Sequence, residues 1–144
     1  MRIIEFDSRY RDDMIFMVLE AKNALGRVPR LNSDLLDIRS CYIDRGDMFW
    51  LALDDSDRVI GCVGYNRADV DTAILHRLYV KYDLKRQGIG SALLKAAETH
   101  LRNKGYKQAS VHLGDKVIYH ESWEFYPKHG YIETEPSHMT KLLI

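Results

Sequence analysis

The spacing of apolar residues divides the chain into segments of two different periods. Ile3, Ile4 and Phe6 predict a short first strand. From Tyr10 to Leu25 the apolar positions Met14, Met17, Val18, Ala21 and Leu25 recur three and four apart, the spacing of one helix face. Gly26 predicts the end of that helix, and Pro29 keeps the next residues out of helix. Asn32 or Ser33 can cap a second helix running to about Ile43, with Leu35, Leu36, Ile38 and Tyr42 inside it. The period then changes. Met48–Leu53 and Val59–Tyr65 read as strands joined by Asp54, Asp55, Ser56 and Asp57, a turn composition. Ala73–Val80 is a third strand. Gly88 to Lys104 returns to helical period, with Ile89, Ala92, Leu93, Ala96, Ala97 and Leu101 on one face and Gly105 as its stop. Gln108–Leu113 reads as a strand. Glu121–Lys128 is a short helical patch whose last turn Pro127 disturbs, and Tyr131–Thr134 with Met139–Leu143 makes a final strand pair.

Hairpin-like strands followed by a strand–helix–strand crossover predict an α+β (mixed α/β) fold, a mixed sheet with helices on its faces. The crossover sets Ala73–Val80 parallel to Gln108–Leu113 and is expected to be right-handed. With 144 residues, no internal repeat and no long linker, the chain reads as one domain over 1–144.

Composition narrows the function classes. Lys plus Arg number 21 and Asp plus Glu number 21, a balance that argues against a dedicated nucleic-acid binder. The opening residues are too charged for a signal peptide, and the apolar run Met14–Leu19 is far too short for a membrane span. The expectation is a cytoplasmic protein with no membrane partner. Cys41 and Cys62 lie in no metal-ligand pattern and read as reduced, structural thiols. His100, His112, His120, His129 and His138 have no metal spacing and read as structural or solvent-facing; no metal is expected.

One stretch does not fit a purely structural reading. In Lys85–Leu101, KRQGIGSALLKAAETHL, two glycines two apart precede a helix, although each glycine costs a helix about 1 kcal/mol relative to alanine. The first turn of a helix offers unpaired N–H groups and about half a positive charge, a ready phosphate site. Lys85 and Arg86 add full charges beside it. No GxxxxGK[ST] loop occurs. A GxGxxG dinucleotide fingerprint would need a small residue where Leu93 stands, and seven residues separate Val80 from Gly88.

The segment LYVKYDLKRQGIGSALL resembles motif A of the GNAT superfamily of N-acetyltransferases, [QR]-x-x-G-x-[GA], with Lys85 where that family usually has Gln or Arg. SWEFYPKHGYIE resembles the family's motif B through Phe125, Tyr126, Gly130 and Tyr131. The resemblance covers about Val59 to the end. It implies a mostly antiparallel twisted sheet whose one parallel strand pair splays apart at an acetyl-CoA site. Leu78, Tyr79 and Val80 would meet the pantetheine arm, and Lys85, Arg86, Gln87, Gly88, Ile89, Gly90 and Ser91 the pyrophosphate. Tyr119 stands where relatives often have a coenzyme-binding Asn.

The implied reaction is acetyl transfer from acetyl-CoA straight to an amine acceptor in a ternary complex. Tyr126 would give a proton to the departing sulfur, and a backbone N–H of Leu78 or Tyr79 would serve the oxyanion. Many relatives carry a Glu base at the position of Ile74; His76, two residues on, is the candidate base here. Cys62, in an apolar strand, is a poor nucleophile. The competing reading is a catalytically silent acyl-CoA sensor or partner module. The acceptor's identity and the oligomeric state, a homodimer included, stay open.

Overall fold

The structure is a computed structural model that describes residues 1–27 and 30–144; Pro29, expected to interrupt helix, lies outside the described residues. The strands are β1 (Arg2–Glu5), β2 (Met48–Leu53), β3 (Val59–Arg67), β4 (Thr72–Val80), β5 (Gln108–His112), β6 (Ile132–Glu135) and β7 (His138–Leu142). The helices are α1 (Arg11–Ala24), α2 (Ile38–Cys41), α3 (Ile89–Asn103) and α4 (His120–Lys128). One seven-stranded sheet runs β1-β2-β3-β4-β5-β7-β6. Every neighbouring pair is antiparallel except β4 and β5. The mixed sheet expected from the pattern, mostly antiparallel as the resemblance implies, is therefore the one observed.

The predicted second helix is broken. Ser33–Leu36 is a 3-10 turn, α2 holds four residues, and Ile43–Arg45 is a second 3-10 turn. Asp37 explains the break: it leaves helical backbone (φ −144°, ψ 73°), and its side chain accepts from Ser40 N–H to start α2 afresh. Asn32 does not cap. Its side-chain oxygen accepts from Lys22 Nζ at 2.8 Å instead. Pro127 is accommodated within α4, because only Lys128 follows it in the helix.

Two apolar cores form, one on each face of the sheet. Met14, Met17 and Val18 of α1 with Leu35, Ile38 and Tyr42 cover Phe49, Leu51, Leu53, Val59 and Cys62. On the other face Ile89, Leu93, Leu94, Ala97 and Leu101 of α3, with Tyr126 of α4, cover Trp50, Ala52, Val63, Ala73, Leu75, Ala109 and Val111. Strands β2 and β3 are thus buried on both sides, which is why they read as near-continuous apolar runs rather than alternating ones. Gly64 belongs to that packing: a Cβ there would stand 2.4 Å from Phe49 and 2.9 Å from Tyr42.

Candidate active site

The site begins where the sheet fails to zip. β4 and β5 pair only at Thr72–Gln108, Ala73–Ala109 and Ile74–Ser110. The pairing of β4 with β3 shifts register between Cys62 and Gly64, and Arg77 takes a left-handed backbone, φ 59°. This is a β-bulge, and it changes which residues face which core. Before it, Ala73 and Leu75 point to the α3 side. After it, Leu78 and Val80 do, while Tyr79 joins the α1 side. Asp34 pins the bulge: its carboxylate accepts from Arg77 Nε at 3.0 Å and Nη2 at 3.0 Å, and from the Tyr42 hydroxyl. Burial alone would raise the Asp34 pKa, but the hydrogen bonds from Arg77 and Tyr42 outweigh it and hold it below the usual carboxylate value.

Past Ile74 the β5-facing edge of β4 has no strand partner. Lys81 N–H donates to Ile60 O on β3. By strand alternation the polar main-chain groups of Leu78 and Val80 then face the gap. A cleft of about 600 Å³ opens there. Its lining holds Leu78, Tyr79, Val80, Lys85, Arg86, Gly88, Ile89, Gly90, Ser91 and Tyr126. Gln87, Tyr119 and His76 are not in that lining.

The loop ahead of α3 turns the helix end into the cleft. Arg86 (φ 65°) and Gly88 (φ 83°) are both left-handed, and Gly88 is the helix N-cap. The first intrahelical bond is Ala92 N–H to Gly88 O, so the N–H groups of Ile89, Gly90 and Ser91 have no helical acceptor, and no side chain caps them. Gly88 is needed for its backbone. At Gly90 a Cβ would make only ordinary contact, 3.4 Å from Phe125 and 3.6 Å from Val80, so what the glycine keeps bare is the open side of the helix end. Tyr126, 7% exposed, closes the inner end. Burial raises its pKa, and among the described residues no group hydrogen-bonds its hydroxyl.

An uncapped helix end and an unpaired strand edge on one cleft suit a ligand with phosphates at one end and amides along its length. A model described as the acetyltransferase (GNAT) family matches residues 14–131. The chain belongs to this family. A GNAT-family acetyltransferase from Staphylococcus aureus Mu50 superposes with a TM-score of 0.86 at 21% identity, covering 99% of both chains. A GNAT acetyltransferase from Brucella melitensis, solved in complex with acetyl-CoA, gives 0.72 at 16% identity, covering 98% of this chain and 86% of that one. Human N-acetyltransferase 8 is 30% identical over 113 residues, 74% of this chain and 48% of its own length. The chain spans about half the length of the curated relatives it matches.

Within this GNAT fold the contacts of several side chains, Lys85 and Tyr119 of the motif reading among them, were not legible from motif spacing. Arg27 lines the cleft and lays its guanidinium 4.2 Å over the Tyr119 ring; its Nε is buried with no hydrogen-bond partner among the described residues. Tyr119 in turn fills the space a side chain at Gly114 would need, 2.5 Å from its Cβ position. Lys85 pairs with Glu121 of α4, linking the two walls of the cleft. His129, read above as structural or solvent-facing, lines the cleft and contacts Ser91. The signal that could have found it is its place four residues after Phe125 on one helix face.

His76 lies just before the bulge, in regular alternation with Ile74 and on the face opposite Leu75. Burial, then the charge of Arg77, lowers its pKa and keeps it neutral near pH 7. Cys62 is fully buried with its thiol pushed up to about 12, which leaves no thiolate for nucleophilic use. Among the described residues no group of three or more His, Cys, Asp or Glu is placed to hold a metal ion, and no helix is long and apolar enough to cross a membrane.

Proposed function

We propose that this chain transfers an acetyl group from acetyl-CoA directly to an amine acceptor in a ternary complex. The observation that carries the reading is the coincidence, on one cleft, of the uncapped N-terminus of α3 and the unpaired edge of β4. The N–H groups of Ile89, Gly90 and Ser91, with Arg86 and Lys85, would take the pyrophosphate. The free main-chain groups of Leu78 and Val80 would pair with the pantetheine amides as an added strand does. Acetyl-CoA supplies the activated thioester; the residues supply its placement and the proton movements.

Backbone N–H groups beside the bulge, at Leu78 or Tyr79, would meet the charge that develops on the carbonyl oxygen, a contribution of about 10²–10³ in rate per donor. Tyr126 is the proton donor to the sulfur. A phenol, pKa about 10, is a weaker acid than a thiol, about 8.5, and burial raises Tyr126 further. The same apolar surroundings raise the thiol, so the hydroxyl serves by sharing its proton as the carbon–sulfur bond stretches. His76, held neutral, is the proposed base for the acceptor ammonium. Arg27 and Arg30 flank the loop after α1 and favour an acceptor carrying an acidic group.

A thiol-release assay with acetyl-CoA over a panel of amines tests the reading. Turnover with at least one amine class is expected. Tight binding of acetyl-CoA without turnover on any amine would make the chain a silent acyl-CoA binder. Absence of coenzyme binding would overturn both.

A further inference from the structure

We propose that His129 is a positioning residue that takes up a proton when the pyrophosphate binds, acting through Ser91. The inference rests on the reading of the α3 N-terminus as the pyrophosphate site.

His129 sits at the C-cap of α4, with both ring nitrogens engaged. Nδ1 lies 2.9 Å from the Phe125 carbonyl, and Nε2 lies 2.8 Å from Ser91 Oγ. A carbonyl only accepts, so Nδ1 carries the hydrogen in any form of the ring. In the neutral ring Nε2 is therefore a lone pair, and the Ser91 hydroxyl must donate to it. That turns Ser91's one proton away from the cleft and leaves oxygen lone pairs facing the place where phosphate oxygens would lie. An incoming anion is repelled by those lone pairs. If His129 gains a proton on Nε2, the bond reverses. Nε2–H donates to Ser91 Oγ, and the serine hydrogen is released to point at the phosphate. The relay then runs from the Phe125 carbonyl through imidazolium and serine to the phosphate oxygen, with one donor for every acceptor.

Other features favour the charged ring. It stands at a carboxyl-terminal helix end, where a cation is stabilised. The Phe125 ring lies 4.4 Å from it, tilted by 32°. The charged groups sharing the cleft are Arg27 after α1, Lys85 and Arg86 before α3, and Glu121, Glu124 and Lys128 of α4. Glu121 is engaged by Lys85. α3 contributes only Ile89, Gly90 and Ser91, and the two tyrosines of the lining, Tyr79 and Tyr126, both have raised pKa values and stay neutral. The pyrophosphate brings the largest new charge, and it is negative, so binding favours the protonated ring. Because the protonated ring is the one that binds best, affinity rises as pH falls.

The test is calorimetric titration with 3′-dephospho-CoA, which keeps the pyrophosphate but lacks the phosphate monoester that itself titrates near pH 6. Repeating it in buffers of different ionisation enthalpy counts the protons taken up. Wild type should take up part of a proton at pH 7, and its affinity should rise about fivefold to tenfold from pH 8 to pH 6, as an average uptake of about 0.35–0.5 proton over that range gives. His129→Gln should show no uptake and a flat affinity, and Ser91→Ala, which leaves only the through-space attraction of the phosphates, should show less than half of both. Ser91→Ala removes one oxygen from a helix first turn and carries the test should His129→Gln fail to fold. Pantetheine, without phosphates, should bind without uptake. Equal uptake in wild type and either variant, uptake with pantetheine, or none in wild type overturns the proposal while leaving the cleft as a coenzyme site. No binding of 3′-dephospho-CoA overturns the pyrophosphate reading and this inference together.

Discussion

The two halves of the sheet are built on opposite rules. β1 to β3 are paired along their length, with one register shift between Ala52 and Leu53, and β2 and β3 are covered on both faces, with Phe49, Leu51, Ala52, Leu53, Cys62, Val63 and Tyr65 all fully buried. β4 and β5 part after three paired residues, and what lies between them is a cleft walled by a helix end, a strand edge and α4. In the first half glycine serves packing, as Gly64 does under Phe49. In the second, glycine and a strained Arg86 serve to aim backbone N–H groups at open space. The lesson is a division of labour. The closed half holds stability, and the open half leaves polar groups unpaired that a ligand completes. The bulge at Arg77 is the joint between them, and Asp34, on the closed side, holds it.

If the division is right, substitutions in the open half change binding and rate with little change in melting temperature, and those in the closed half do the reverse. The largest effect is expected from Gly90→Val. Its branched side chain would stand over the helix end where the pyrophosphate is proposed to lie, so acetyl-CoA affinity should fall on the order of 10³-fold, about 4 kcal/mol. Calorimetry together with a melt checks this; normal affinity would remove the helix end from the site. Tyr126→Phe comes next. The ring keeps its packing, so acetyl-CoA affinity should hold while kcat and kcat/KM fall together by about 10²–10³. Wild-type kcat with chemistry rate-limiting would make Tyr126 a packing residue.

Gly64→Ala tests the closed half. Its methyl would meet Phe49 and Tyr42, and overpacking of this kind costs about 1–3 kcal/mol. The melting temperature should drop with coenzyme affinity unchanged in the folded protein. Asp34→Asn probes the joint and is expected to cost about 2 kcal/mol, less than for a sealed ion pair because Arg77 keeps partial exposure. The folded Asp34 pKa is depressed, so its contribution is present above the unfolded value near 3.9 and is lost as pH falls through the lower folded value. The wild-type acid-denaturation limb below about pH 4 should therefore flatten in the variant, and kcat/KM should fall as the bulge loosens. His76→Gln is the smallest, about tenfold in kcat. Its low-pH rate limb, which in wild type lies below pH 6.5 because burial and Arg77 lower the imidazole, should disappear. A limb that survives the substitution assigns the base elsewhere.

Much of this was written in the linear pattern. Apolar period alone marks α1, α3 and the strands to within a residue or two, because each element buries one face or both against a neighbour and that need repeats along the chain. The glycine pair with its basic flank marks the proposed anion site, because a helix start has a local signature. The break at Asp37 was hidden, since Asn32 looks like a helix cap until Lys22 claims its side chain from a distant segment, as Arg77 claims that of Asp34. The bulge was equally hidden: nothing in Ile74–Val80 states that Arg77 will turn left-handed, and only its partner on the 33–36 turn over-determines that conformation. The place of His129 in the cleft and the contact of Arg27 with Tyr119 were beyond sequence for the same reason. Local sequence fixes backbone period and helix ends, where the interacting groups lie within a few residues. The cleft is made by side chains 38 residues apart, such as Ser91 and His129, and their meeting is set by how the sheet twists and where it comes open.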